Sequence, residues 1–208
     1  MALSKQRQEV VKQAHWVLDH GSGWHYEEIR PVPLANIKAG RLPVNTDCSG
    51  SCIGIYYRAG IARDPSGYGY SGYGNTDSLS HACEHLGSYS SCEPGDMVVV
   101  TNRADHGTVH VYLVLERQGS DLKVFSHGGP GAPKTEMLSA VHSYWYGKGY
   151  VFIGLRSLPM QDKLKWRWHV MNGRGDVIGR TNHPYIWHAT HKKFFKQYDQ
   201  IRFDNQTK

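Results

Sequence analysis

The chain has 208 residues, 39% of them hydrophobic, with 6 Trp, 13 Tyr and a formal net charge of +6. That is room for one ordinary domain with a real core and a small appendage, and it excludes a disordered chain. No apolar run reaches the roughly 18 residues that a membrane helix needs, so no membrane insertion is expected.

Ser4 to about His20 carries Val10, Val11, Ala14, Val17 and Leu18 at the spacing of an amphipathic helix, which Gly21 to Gly23 ends. The residues before it are polar and hold no apolar signal core, so the chain is expected to be synthesised in the cytoplasm. A Pro-marked stretch, Arg30-Pro31-Val32-Pro33-Leu34, reads as extended. Thr46-Asp47 then stands before a helical run from Ser49 to Ala59 that Gly60 closes, with Asp47 as its N-cap. Residues 64–76, where four glycines alternate with Tyr68, Tyr70 and Tyr73, read as a loop that either contacts ligands or packs its tyrosines on the domain.

Beyond Pro94-Gly95, strands are expected at Met97 to Thr101, Val109 to Glu116, Leu122 to Ser126 and Tyr150 to Arg156. Helices followed by a run of strands argue for an α+β domain with an antiparallel sheet over residues 1–158. Residues 163–208 read as a small ββα appendage. Its hairpin turns at Asn172-Gly173-Arg174-Gly175, and a helix runs from His183-Pro184 to about Tyr198. The whole +6 falls in residues 161–208, where ten Lys and Arg meet four Asp and Glu. With Trp166, Trp168 and Trp187 beside them, these charges suit an anionic polymer such as wall phosphate or nucleic acid, or sugar rings, or else the tryptophans glue the appendage to its neighbour.

Chemistry concentrates in Asp47-Cys48-Ser49-Gly50-Ser51-Cys52. A thiol in the first turn of a helix feels unsatisfied N–H groups and the positive end of the helix dipole, and such cysteines have pKa values of roughly 3.5 to 7.5. Small Ser49 and Gly50 are expected to leave the sulfur open to a substrate carbonyl. Cys52, one turn on, reads as a buried packing residue. The four cysteines form no CxxC pair, so no metal and no cofactor is expected; Cys83 and Cys92 flank a loop, and free thiols are the expectation for them. A nucleophilic thiol also needs an imidazole to take its proton and a third group to orient that imidazole. His110 lies in an expected strand, whereas its rival His106 falls in a polar turn.

At Asp47-Cys48-Ser49-Gly50 the chain resembles the NlpC/P60 family of cell-wall peptidases. Pro94-Gly95-Asp96 is similar to that family's turn into a strand, His110-Val111 to its His-Val strand, and Phe125-Ser126-His127-Gly128 to the place of its orienting polar residue. The resemblance covers about residues 10–156. It implies a papain-like core and a Cys-His-His triad of Cys48, His110 and His127, with Tyr26 at the oxyanion site, although the family's usual pattern around that tyrosine is absent. It further implies hydrolysis of peptidoglycan stem peptides, at the γ-D-glutamyl to diaminopimelate amide, by a bacteriophage endolysin or another lysin that acts on the wall after release. The rival readings are an inactive peptidase-like module that binds wall or nucleic acid through the basic tail, and an acyltransferase or amidase working on a different amide.

Overall fold

The computed structural model describes residues 3–158 and the backbone of three further strands, and it divides the chain into two units, Met1–Met160 and Gln161–Lys208. The first unit begins with α1 (Lys5–Asp19), started by Ser4, whose hydroxyl accepts from the Arg7 N–H. Its apolar spacing is used as expected: Val10, Ala14 and Val17 are fully buried. A short parallel pair follows, β1 (Trp24–Tyr26) with β2 (Val44–Thr46), and between them lies α2 (Leu34–Ala39). The Pro-marked stretch is therefore extended only as far as Pro33, because a proline that precedes the first helical turn costs that turn nothing.

Next come α3 (Cys48–Arg58) and α4 (Thr76–Ala82). After them the chain builds a six-stranded antiparallel sheet from β3 (Glu84–His85), β4 (Met97–Asn102), β5 (Thr108–Gln118), β6 (Asp121–Ser126), β7 (Lys134–Met137) and β8 (Tyr150–Arg156), in the order β3-β8-β4-β5-β6-β7. A last helix, α5 (Leu138–Gly147), connects β7 to β8. The fold is thus α+β with helices on an antiparallel sheet, as the sequence led us to expect.

Side chains alternate across this sheet and divide the core in two. Met97 and Val99 of β4 and Val111, Leu113 and Leu115 of β5 pack with Val10 and Val17 of α1 and Ile53 and Ile55 of α3. Val98, Val100, Tyr112 and Val114 point the other way, into a smaller core with Leu138 of α5. Cys83 belongs to the first core and Cys92 to the second; both are free, as expected. The 64–76 segment is a loop. Its Asp64, buried, accepts from the N–H groups of Ser66 and Tyr70, and Tyr70 packs on Tyr57 while Tyr68 and Tyr73 stand exposed.

An ionic junction around the fully buried Asp96 and Arg7 ties the sheet to α1. Asp96, at the mouth of β4, takes Arg7 at 2.7 Å on one carboxylate oxygen and Arg156 of β8 at 2.7 Å on the other. Arg7 also donates to the carbonyls of Pro94 and Leu158. Buried charges are tolerable only when paired and hydrogen-bonded in this way.

In the second unit, β9 (Trp168–Met171) pairs antiparallel with β10 (Val177–Thr181), which is the expected hairpin, and also with β11 (Ile201–Phe203), a strand the sequence did not announce. The expected helix from His183 to Tyr198 and the side chains of Trp166, Trp168 and Trp187 lie outside the described residues.

Breaking the buried junction from one side strands a carboxylate. Arg7→Met is expected to lower unfolding free energy by about 3 kcal/mol, read from urea denaturation, with Arg156 retaining part of the pairing. A loss below about 1 kcal/mol would show that water or Arg156 alone satisfies Asp96.

Candidate active site

Cys48 is the first residue of α3, and Asp47 caps the helix: one carboxylate oxygen accepts from the Gly50 N–H at 2.7 Å and from the Ser49 hydroxyl at 3.0 Å. The other oxygen takes Arg30 at 2.8 Å, and Arg30 in turn donates to Ser49 Oγ and to the carbonyl of Gly74. This clamp joins the helix start to the segment before α2 and to the end of the Gly/Tyr loop. Gly50 is required by that packing. A Cβ there would lie 2.2 Å from Thr46 Oγ1 and 2.8 Å from Val32 Cγ2, so the small residue serves the approach of α3 to β2 and does not open the sulfur.

The thiol is in fact 6% exposed, which corrects the expectation of an open sulfur with a depressed pKa. Burial, with the neighbouring Asp47 charge second, pushes Cys48 up to about 11; the Val111 N–H, the Thr76 hydroxyl and the Ser49 N–H work the other way. The helix start does aim its donors at the sulfur, but the local signal said nothing of what packs over it. Thr76, the first residue of α4, places Oγ1 3.9 Å from Sγ. Cys52 is fully buried in the first core, as expected.

His110 lies on β5 next to Val111, whose N–H faces the sulfur. β5 pairs with β6 only from Leu113 onward, so around His110 the β6 side of the strand is open. The ring belongs to the α5 face: it meets Tyr112 edge-on at 4.4 Å and lies parallel to Trp145 at 6.2 Å. Its Nε2 is 3.3 Å from Ser126 Oγ. Gly128 runs directly beneath, where a Cβ would sit 2.5 Å from His110 Cε1. Burial lowers the His110 pKa to about 4, with Glu136 and Asp47 opposing.

His127 follows the end of β6 and is 1% exposed. Its Nδ1 lies 2.7 Å from Ser51 Oγ, on the first turn of α3. Burial lowers its pKa as well, while the Gly131 carbonyl favours its charged form. Tyr26 of β1 stands edge-on to this ring at 5.7 Å, and its hydroxyl donates to Glu28 at 2.9 Å. His106 stays in the turn before β5, exposed. Tyr26, His110, Tyr112, Ser126, Gly128 and Trp145 line one open cleft of about 450 Å³; Cys48 lies outside its lining.

Cys48 and His127 therefore meet at the start of α3, with Tyr26 edge-on to His127, whereas the His110 ring lies on the α5 face of the sheet, and hydrogen bonds do not link them into a Cys-His-His chain. Among the described residues no hydrogen bond joins Cys48 to His110 or His110 to His127; each histidine instead holds a serine. Sequence reasoning missed Ser51, Thr76, Ser126, Trp145 and Arg30. Ser51 and Ser126 stood inside the motifs, but there the cysteines and His127 drew the attention. No group of three or more His, Cys, Asp or Glu among the described residues is arranged to hold a metal.

The depressed histidines make stability depend on pH with a definite sign. In the unfolded chain His110 binds its proton near 6.5, in the folded protein near 4, so between those values the unfolded state holds more protons and stability falls as pH falls. The slope attributable to His110 is at most about 1.4 kcal/mol per pH unit. Urea midpoints at pH 7, 6 and 5 should fall in the parent and fall less steeply in His110→Gln; parallel slopes would show that His110 is not held neutral by burial.

Comparison with known proteins finds no family model, no curated protein and no solved structure that matches this chain.

Proposed function

We propose that the chain is a cysteine peptidase with a papain-like core of NlpC/P60 type, which hydrolyses an amide of peptidoglycan stem peptides, the γ-D-glutamyl to diaminopimelate bond being the first candidate. As a lysin it would reach the wall after release. The observation that carries this reading is the Asp47-capped helix start, where the Ser49 and Val111 N–H groups converge on a thiol one residue across from His110. In the reaction His110 takes the Cys48 proton as sulfur attacks the amide carbonyl, and the N–H groups receive the negative charge that develops on oxygen. The proton passes to the leaving amine, and water then releases the acyl group from sulfur.

One observation favours a second reading, a peptidase-like binding module without turnover: the thiol is buried and held protonated. The two separate cleanly. Purified protein incubated with peptidoglycan should release fragments whose masses reveal new termini, and Cys48→Ala and Cys48→Ser should lower that release by about 1,000-fold or more while Cys52→Ala retains most of it. Equal release by the parent and Cys48→Ala would remove the nucleophile; no release by the parent would leave the binding module.

The basic excess of residues 161–208 makes anionic wall polymers the proposed partner of that unit. Sedimentation of the full chain with intact walls should weaken steeply as salt rises, because the Debye length shortens from about 10 Å at 0.1 M to about 3 Å at 1 M. Binding indifferent to salt would assign attachment to the first unit.

A further inference from the structure

We infer that Ser126, rather than His127, is the positioning residue of His110, holding Nε2 and leaving Nδ1 as the ring nitrogen open to proton exchange. The inference rests on the reading of Cys48 and His110 as nucleophile and base. An imidazole in its neutral form has one N–H and one lone pair, and the group bonded to one nitrogen decides which role the other plays. Here the bonded nitrogen is Nε2, and its partner is the hydroxyl of Ser126, 3.3 Å away and 2% exposed. A serine hydroxyl can donate to Nε2 or accept from it, and only as an acceptor does it hold the Nε2–H of the neutral ring and keep that bond when Nδ1 also takes a proton, which is the arrangement a base at Nδ1 requires. Among the described residues Nδ1 makes no hydrogen bond to the protein, and the ring lines the open cleft.

The rest of the ring's surroundings restrict it to that orientation. Tyr112 abuts its edge and Trp145 lies parallel to it, and the Trp145 indole N–H is itself fixed by the Tyr112 hydroxyl at 3.0 Å. Gly128 approaches so closely that any side chain there would displace the ring. Ser126 sits on the same strand face as Val124, in register to present its hydroxyl to the α5 side, where His110 also points. His127, one residue on, points to the opposite face, as strand alternation requires, and its Nδ1 is already taken by Ser51 of α3. Its role is to tie the end of β6 to the helix that carries the thiol. Swapping the two residues' roles would need a one-residue slip of β6, which would turn Phe125 out of the first core and Val124 out of the second.

The test reads the ring itself as well as turnover. Long-range proton–nitrogen spectra of the full chain, labelled at histidine, report which nitrogen of His110 carries the hydrogen. The parent should show a single Nε2–H tautomer, Ser126→Ala should show two exchanging tautomers, Ser126→Thr should restore one, and His127→Gln should leave the parent's pattern. On a soluble stem peptide Ser126→Ala should lower kcat about tenfold or more with little change in KM, and Ser126→Thr should recover most of it. An Nδ1–H tautomer in the parent overturns the inference whether or not any variant folds. So does loss of the single tautomer in His127→Gln with its retention in Ser126→Ala. If the spectra follow the expected pattern but the parent cuts no wall peptide, the substrate reading fails while Ser126 keeps its place beside His110.

Discussion

Everything at the candidate site hangs on the carboxylate of Asp47, which does two opposed things. As an N-cap it fixes where α3 begins, turning the chain from β2 into the helix within one residue and holding the Gly50 N–H and Ser49 hydroxyl. That is what brings the Ser49 N–H to the sulfur. As a neighbouring negative charge it opposes a thiolate at Cys48, and the protein answers with Arg30 on its second oxygen. The same guanidinium holds the Gly74 carbonyl, so the clamp that moderates the charge also closes the end of the Gly/Tyr loop, two residues before Thr76, whose hydroxyl faces the thiol.

Much of the frame was legible because it obeys simple periods. α1, α3, β4, β5, β6 and β8 follow from one-face helical spacing, a capping Asp and short apolar runs bounded by turns. What escaped reading lacks those marks. α2 follows a Pro-rich stretch and has no side-chain cap, and α5 is an aromatic helix that begins at Leu138 directly after β7, again without a capping side chain. α4 did carry a signal, the reciprocal Asn75–Ser78 capping box, but it was hidden at the edge of a glycine-rich loop. β7 is four residues of mixed polarity at a sheet edge, where alternation has too little length to show.

At the site the split is similar. Cys48 and His110 stood out because few residue types do their chemistry and their neighbours were distinctive. The hydroxyls of Ser51, Thr76 and Ser126 have no pattern: a serine or threonine becomes a partner only when the fold delivers something to it. Burial of the thiol was equally invisible, since a helix start advertises its dipole but not the β-strand and the α4 terminus that close over it. The bias from composition ran the wrong way here, because small neighbours suggested an open sulfur where they instead admit Thr46 and Val32.

These surroundings define what the resting protein does. Burial raises the pKa of the thiol and lowers that of the imidazole, so both shifts oppose moving the proton from Cys48 to His110 in the resting protein. Both shifts disfavour a resting ion pair of the kind that makes some cysteines reactive towards any electrophile. Under the proposed mechanism, transfer has to coincide with attack, when the negative charge moves from sulfur to an oxygen that the Ser49 and Val111 N–H groups can hold and the imidazolium gains that charge as a neighbour. A thiol kept quiet in this way is spared adventitious oxidation, which follows thiolate character and exposure. Burial that looks like a defect in a nucleophile is thus consistent with catalysis, provided that the orientation of His110 is already set before substrate arrives, and a ring held by Ser126, Tyr112, Trp145 and Gly128 meets that condition.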